Sequence, residues 1–234
     1  MKCVNRKITD YCMVILHLIV CDMDIKQQLS EYAGQLITHQ LLTGLLKDYS
    51  RPNDKIKALK DEGILEAVKR GFYIAGKSTN ITRPERSLIA NHLYGPSYVS
   101  AEAALMHYGL IPERVYTVTS MTTKPSKSFK TLSGFYTYNY LPLPYYSFGL
   151  DMAILATNQQ AIMATPEKAL ADKIVTTPGV ILRSMSSALD YATEDLRMEP
   201  SELKNFDTSR MLTWLPDAPK RESLEILIKM IKRL

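Results

Sequence analysis

Through the first third of the chain apolar positions recur at helical spacing; they then give way to the alternation expected of strands. Residues 25–34 carry one amphipathic stretch. From Thr38 to Tyr49, Leu41, Leu42, Leu45 and Leu46 form a stripe behind Thr38, whose hydroxyl suits an N-cap. Ser50-Arg51-Pro52-Asn53 reads as a helix start, with Ser50 capping and Pro52 in the first turn, and Gly63 as the stop. Residues 64–68 and 72–74, joined by Lys69-Arg70-Gly71, predict a small hairpin. Three helices and a hairpin in this order predict a winged helix-turn-helix over residues 25–77.

Lys77 to Pro84 is polar and reads as a linker, which sets a second domain at residues 83–234. There the pattern predicts a helix over 83–94, broken by Gly95-Pro96, and another from Ser100 to Tyr108, ended by Gly109. Residues 115–123 alternate as a strand, with Val115, Thr117 and Thr119 on one face and Tyr116, Val118 and Ser120 on the other. A β segment over 128–141 turns at Ser133-Gly134. A hairpin follows, 152–157 and 161–164, around Asn158-Gln159-Gln160. Thr165-Pro166-Glu167 opens a helix, and the remainder reads as helical, ending on a stripe of Leu224, Leu227, Ile228, Ile231 and Leu234. The predicted fold class is therefore α+β: a winged helix-turn-helix, then a mixed α/β domain with a mainly antiparallel sheet and a helical C-terminal part.

Residues 1–24 stand apart as an extension. The apolar run from Cys12 to Cys21 is broken by His17 and is too short to span a bilayer. It follows Lys2, Arg6 and Lys7, but no small-x-small cleavage site comes after it. Two readings stand: an extra packing element, or an upstream start codon with Met23 as the first native residue.

Of the 234 residues, 46% are apolar and 23% charged, enough apolar material for a buried core. The odd number of cysteines (Cys3, Cys12, Cys21) argues against a disulfide framework and for a reducing, cytoplasmic setting. The four histidines form no ligand pattern with them, so neither a metal site nor a cofactor is expected. The net charge of +5 permits nucleic-acid binding without demanding it.

In a helix-turn-helix the second helix reads the major groove, so it must hide one face and offer the other. Pro52, Ile56 and Leu59 share the inward face; Arg51, Asp54, Lys57 and Ala58 point outward. Arg51 and Lys57 are the candidates for base edges, Asn53, Lys55 and Lys60 for phosphates, and Lys69 and Arg70 for the wing tip. Asp54 and Asp61 oppose this, and residues 47–77 hold eight basic against five acidic side chains. A winged helix used for protein contacts, or a regulator of another operon, is the competing reading. Arg114 to Leu150 contains no acidic residue; Arg114, Lys124, Lys127 and Lys130 form a candidate secondary basic surface. Tyr136, Tyr138 and Tyr140 alternate as a core-facing stripe would. Catalytic signals are poor. The one nuclease-like triplet is Glu202-Leu203-Lys204, with Asp190 and Asp195 upstream, and no catalytic residue is assigned.

Several motifs in order carry a resemblance: Tyr94-Gly95-Pro96-Ser97-Tyr98-Val99-Ser100, Glu102-Ala103-Ala104-Leu105, and Tyr108-Gly109-Leu110-Ile111-Pro112-Glu113. Thr119-Ser120, Thr122-Thr123-Lys124 and Ala164-Thr165-Pro166-Glu167-Lys168-Ala169-Leu170-Ala171-Asp172 continue it. Together they resemble the AbiEi family, the antitoxin component of abortive-infection type IV toxin–antitoxin systems. The resemblance covers about residues 38–175. It implies a bacterial autorepressor that binds inverted repeats in its own promoter, as a homodimer or as cooperative monomers. It also implies neutralisation of a nucleotidyltransferase-type toxin by the second domain, without a stable complex. The implied DNA contacts are Arg51, Asn53, Lys55, Lys57, Lys60, Lys69 and Arg70.

Overall fold

The computed structural model describes residues 25–155 and 159–234, and the chain divides after Pro84 into two units. Expectations about residues 1–24, their cysteines and apolar run included, and about residues 156–158, the end of the predicted strand and the start of its turn, lie outside the described residues.

In the first unit residues 25–30 are helical (α1), followed by β1 (Ile37–Thr38), α2 (His39–Leu45), α3 (Pro52–Asp61), β2 (Leu65–Lys69) and β3 (Phe72–Ala75). The strands form an antiparallel sheet in the order β1-β3-β2. The core is one apolar face of each helix: Ile25 and Leu29, Leu42 with Leu46 just past α2, and Ile56 and Leu59, closed by Ile37, Ile64 and Leu65, while Leu41 and Leu45 of the predicted stripe are partly buried beside it. Thr38 caps α2 by accepting from Leu41 N at 3.2 Å. The N-cap of α3 is Arg51, not Ser50: Pro52 occupies the first helical position, where its missing N–H costs nothing. Gly63 ends α3 at φ +70°, a conformation an L side chain resists. β1, two residues long, is too short for any alternation to announce it.

The expected linker is part of this unit. Gly34 N donates to Thr82 O (2.7 Å) and Ser78 Oγ to Glu62 O (3.0 Å). Ile81 packs against the core, and Arg83 donates to the carboxylate of Glu66, which is buried. Polar composition marked a strap whose hydrogen bonds are internal.

The second unit is built on a six-stranded sheet in the order β6-β7-β5-β4-β9-β8. Its strands are β4 (Ser97–Val99), β5 (Thr117–Thr122), β6 (Lys127–Thr131), β7 (Gly134–Tyr140), β8 (Leu150–Ile154) and β9 (Gln160–Ala164). Three pairings are antiparallel; β5–β7 and β4–β9 are parallel. α4 (Arg86–Leu93) and α5 (Ala101–His107) flank β4, and α6 (Pro166–Thr176) follows β9. The three-residue strand β4, inside the sheet, is absent from the sequence reading, again because so short a run shows no period. α4 begins three residues later than expected.

The helical part comprises α7 (Met185–Asp190), α8 (Pro200–Leu203), α9 (Thr208–Trp214) and α10 (Arg221–Ile231). Leu224, Leu227, Ile228 and Ile231 bury the α10 stripe as its spacing predicts. Lys220, just ahead of it, donates to the carbonyls of Ile174 (2.8 Å), Thr177 (2.7 Å) and Val180 (2.9 Å). Among the described residues no helix is long and apolar enough to cross a membrane.

Candidate nucleic-acid interface

α3 meets the requirement for a groove-reading helix: one face is sealed in the core and the other open. Ile56 and Leu59 are buried, while Arg51, Asn53, Asp54, Lys57 and Lys60 are exposed. Lys55 is half-buried, its ammonium 5.6 Å from the Tyr49 ring centroid, and Ala58 is also half-buried. Arg51 Nη1 lies 3.8 Å from Asp54 Oδ2, both side chains open to water, so the pair is weak and easily exchanged for a phosphate. The buried Glu66 is answered by Arg83. Of the five acidic groups that dilute this region, one is thereby neutralised internally.

The wing is the β2–β3 hairpin with β1 along its other side. His39 N donates to Gly71 O (2.8 Å), which ties the hairpin turn to the start of α2. Tyr73 and His39 reinforce the link, Oη to Nδ1 at 3.4 Å. Arg70 is exposed in the turn; Lys69 is half-buried, its ammonium 4.5 Å from the Phe72 ring centroid. The structure thus puts the seven predicted contact residues on α3, at its N-cap and at the wing turn, with Lys55 and Lys69 less open than the other five.

Arg114, Lys124, Lys127 and Lys130 are all exposed in the second unit, at or beside one end of the sheet. Each meets an aromatic ring: Arg114 lies 5.7 Å from Tyr116, Lys124 5.4 Å from Tyr94, Lys127 5.0 Å from Phe129 and Lys130 5.5 Å from Phe135. Of the three alternating tyrosines, Tyr136 and Tyr138 are buried, Tyr138 against Tyr94 and bonded to Ala90 O of α4, but Tyr140 is 52% exposed. The nuclease-like residues Asp190, Asp195, Glu202 and Lys204 are exposed on the helical part. Among the described residues no group of three His, Cys, Asp or Glu is placed to hold a metal.

Residues of the sequence motifs converge elsewhere. Lys168 and Asp172, one turn apart on α6, are both fully buried and form an ion pair. Asp172 also accepts from Tyr98 Oη (2.9 Å) and Ser100 Oγ (2.7 Å), and Lys168 Nζ stands 3.0 Å from Tyr98 Oη and 3.6 Å from the Tyr145 ring centroid. Ser100 therefore spends its hydroxyl on Asp172 and makes no side-chain cap to α5. Burial lowers the Lys168 pKa against the opposing pull of Asp172, and burial raises those of Tyr98 and Tyr145. Gly149, at φ +63°, lies so close that a Cβ there would be 2.7 Å from Lys168 Cβ. Lysine, tyrosine, aspartate and serine could shuttle protons in an open cleft, but here no solvent or substrate reaches them. The cluster holds β4, α5 and α6 together. Its sequence signal is a Lys and an Asp at i and i+4 on the face of α6 that also carries Ala169, Ala171 and other buried apolar residues.

No family model matches the chain, and no curated protein matches it. Among solved structures, the RV2827C protein of Mycobacterium tuberculosis is similar, with a TM-score of 0.59 over 89% of this chain and 76% of that one. At 16% identity the likeness is one of fold. The chain is α+β, a winged helix-turn-helix followed by a mixed α/β unit with a helical C-terminal part.

Proposed function

We propose that this chain is a DNA-binding antitoxin of the AbiEi type, in which the winged helix occupies inverted repeats in the promoter of its own operon. The observation that carries the reading is the sealed-and-open division of α3. Ile56 and Leu59 fix the helix while Arg51, Asn53, Lys57 and Lys60 stand free of the core, with Arg70 on the adjoining wing. Arg51 and Lys57 select sequence, and the remaining cations neutralise phosphates. Repression is steric, with no catalytic step, cofactor or metal. The neighbouring gene encodes a nucleotidyltransferase-type toxin, counteracted in the cytoplasm by the second unit without a stable complex. This part of the reading rests on the motif residues between Tyr94 and Asp172.

The exposed Asp54 favours one competitor, a winged helix that docks on a protein. A gel-shift titration against the chain's own upstream DNA separates them, with unrelated duplex as competitor and an Arg51→Ala, Lys57→Ala variant alongside. Selective binding that the variant loses supports the repressor; binding that is indiscriminate or indifferent to the variant refutes it.

A further inference from the structure

We propose that the open face of the sheet around β5, β7 and β6 binds single-stranded RNA, a role separate from the winged helix. Strand parity divides this end of the sheet. Val118, Ser120, Tyr136 and Tyr138 are buried on one face. The residues between them point the other way and stay accessible: Phe135 is 50% exposed, Lys130 and Ser128 are exposed, and Thr117, Thr119 and Thr137 are partly so. Register brings these together. Lys130 pairs with Phe135, Ser128 with Thr137, and Thr117 and Thr119 lie across from Phe135 and Thr137. A ring, an ammonium and a row of hydroxyls thus share one surface.

At the rim of this face, one residue before β5 and by alternation on the side of Val118, Tyr116 is 69% exposed with the Arg114 guanidinium near its ring. Its carbonyl accepts from Arg86, which fixes the backbone that carries it. Two open rings therefore each stand beside a cation, and among the described residues neither Lys130 nor Arg114 has a carboxylate partner. Lysine on an edge strand such as β6 also serves to repel added strands. That accounts for Lys127 and Lys130 but not for two large rings left in water.

The chemistry selects the occupant. Unpaired cations along a stretch free of carboxylates complement a phosphodiester chain. Exposed rings suit bases that are not already stacked in a duplex. Hydroxyls that both donate and accept match the ribose 2′-OH, which DNA lacks.

Fluorescence anisotropy with the full chain tests this, using labelled oligouridine of about 12 nucleotides, the deoxy strand of equal length and a duplex. RNA is expected to bind tightest. Removing both rings (Tyr116→Leu with Phe135→Leu) weakens it by at least about 25-fold, while Phe135→Tyr leaves it intact. Arg114→Gln with Lys130→Gln flattens the salt dependence by about 1.4 in log–log slope. All of these side chains are exposed, and an unchanged unfolding midpoint confirms that each variant folds. The promoter gel shift is expected to ignore the ring variants, so either proposal can fail alone. RNA bound no better than the deoxy strand or duplex, or an affinity indifferent to ring removal, overturns the proposal.

Discussion

Replacing Lys168 by Met tests whether the Lys168–Asp172 pair holds the second unit together as an ion pair. The change keeps most of the side-chain volume and deletes the ammonium. Asp172, fully buried, is left with Tyr98 and Ser100 as donors and no cation. Stranding one partner of a buried pair costs about 3–5 kcal/mol; the two remaining hydroxyls favour the lower end, about 3 kcal/mol. In a unit of this size that lowers Tm by roughly 6–12 °C and the urea midpoint by about 1.5 M. Trp214 makes the assay specific. It is the single tryptophan in the chain, it stacks on Tyr145 at 6.0 Å, and the Lys168 ammonium is 5.5 Å from its ring, so its fluorescence follows this unit alone. The control is Lys168→Met with Asp172→Asn, in which no charge is stranded and the amide oxygen still accepts from Tyr98 and Ser100. The double variant should recover all but about 1 kcal/mol. A single variant that costs under about 1 kcal/mol, or a double variant that costs the sum of the singles, would falsify the assignment.

Other expectations concern pH, the strap and a close contact. Burial raises the pKa of Tyr98, Tyr138, Tyr145 and Tyr191, the last from 10.0 to about 12. Their protons are held longer in the folded state, so this stability is complete below pH 10 and lost as pH rises beyond it. Tyr191 alone accounts for roughly 1–2 kcal/mol once solvent screening is allowed for. Lys168 and Lys220, with lowered values, act in the opposite sense but are outnumbered. Urea titrations on Trp214 fluorescence above and below pH 10 decide it, and a midpoint flat across that range refutes it. A fragment ending at Pro84 should fold by circular dichroism, while one ending at Lys77 loses Ile81 and Arg83, strands Glu66, and melts lower; equal melting would show the strap to be dispensable. Gly149→Ala forces a left-handed φ and a 2.7 Å contact on Lys168, and should destabilise the second unit by at least about 2 kcal/mol on the same fluorescence signal.

The long elements were legible because their periods were long enough to read. α3 and α10 bury the stripes that the spacing predicts, and Gly63 stops α3 where expected. β1 and β4, at two and three residues, have no period of their own; neighbouring strands create them. Polar residues misled in both directions. Ser78 to Arg83 looked like a linker because composition does not reveal that its partners are Glu62 and Glu66. Lys168 and Asp172 stood in plain view as a motif, but nothing local states that Tyr98 and Ser100, some seventy residues earlier, will meet them. Ile56 and Leu59 fall on the buried face of α3 and Arg51, Asp54 and Lys57 on the open one, as a helical wheel needs only the sequence to show, while Ala58, expected outward, is half-buried. The half-burial of Lys55 and Lys69 depends on Tyr49 and Phe72, which a wheel does not include.

Where α6 ends, three carbonyl oxygens converge on the ammonium of Lys220 at 2.7–2.9 Å. Such a ring of oxygens is what a protein ordinarily offers to a bound alkali ion. Here the ion is tethered to the backbone at the threshold of α10, so it cannot be exchanged, chelated or diluted away. The junction between the sheet-bearing part and the helical tail therefore carries its own counter-charge, and it should hold equally well in sodium, potassium or no added salt at all.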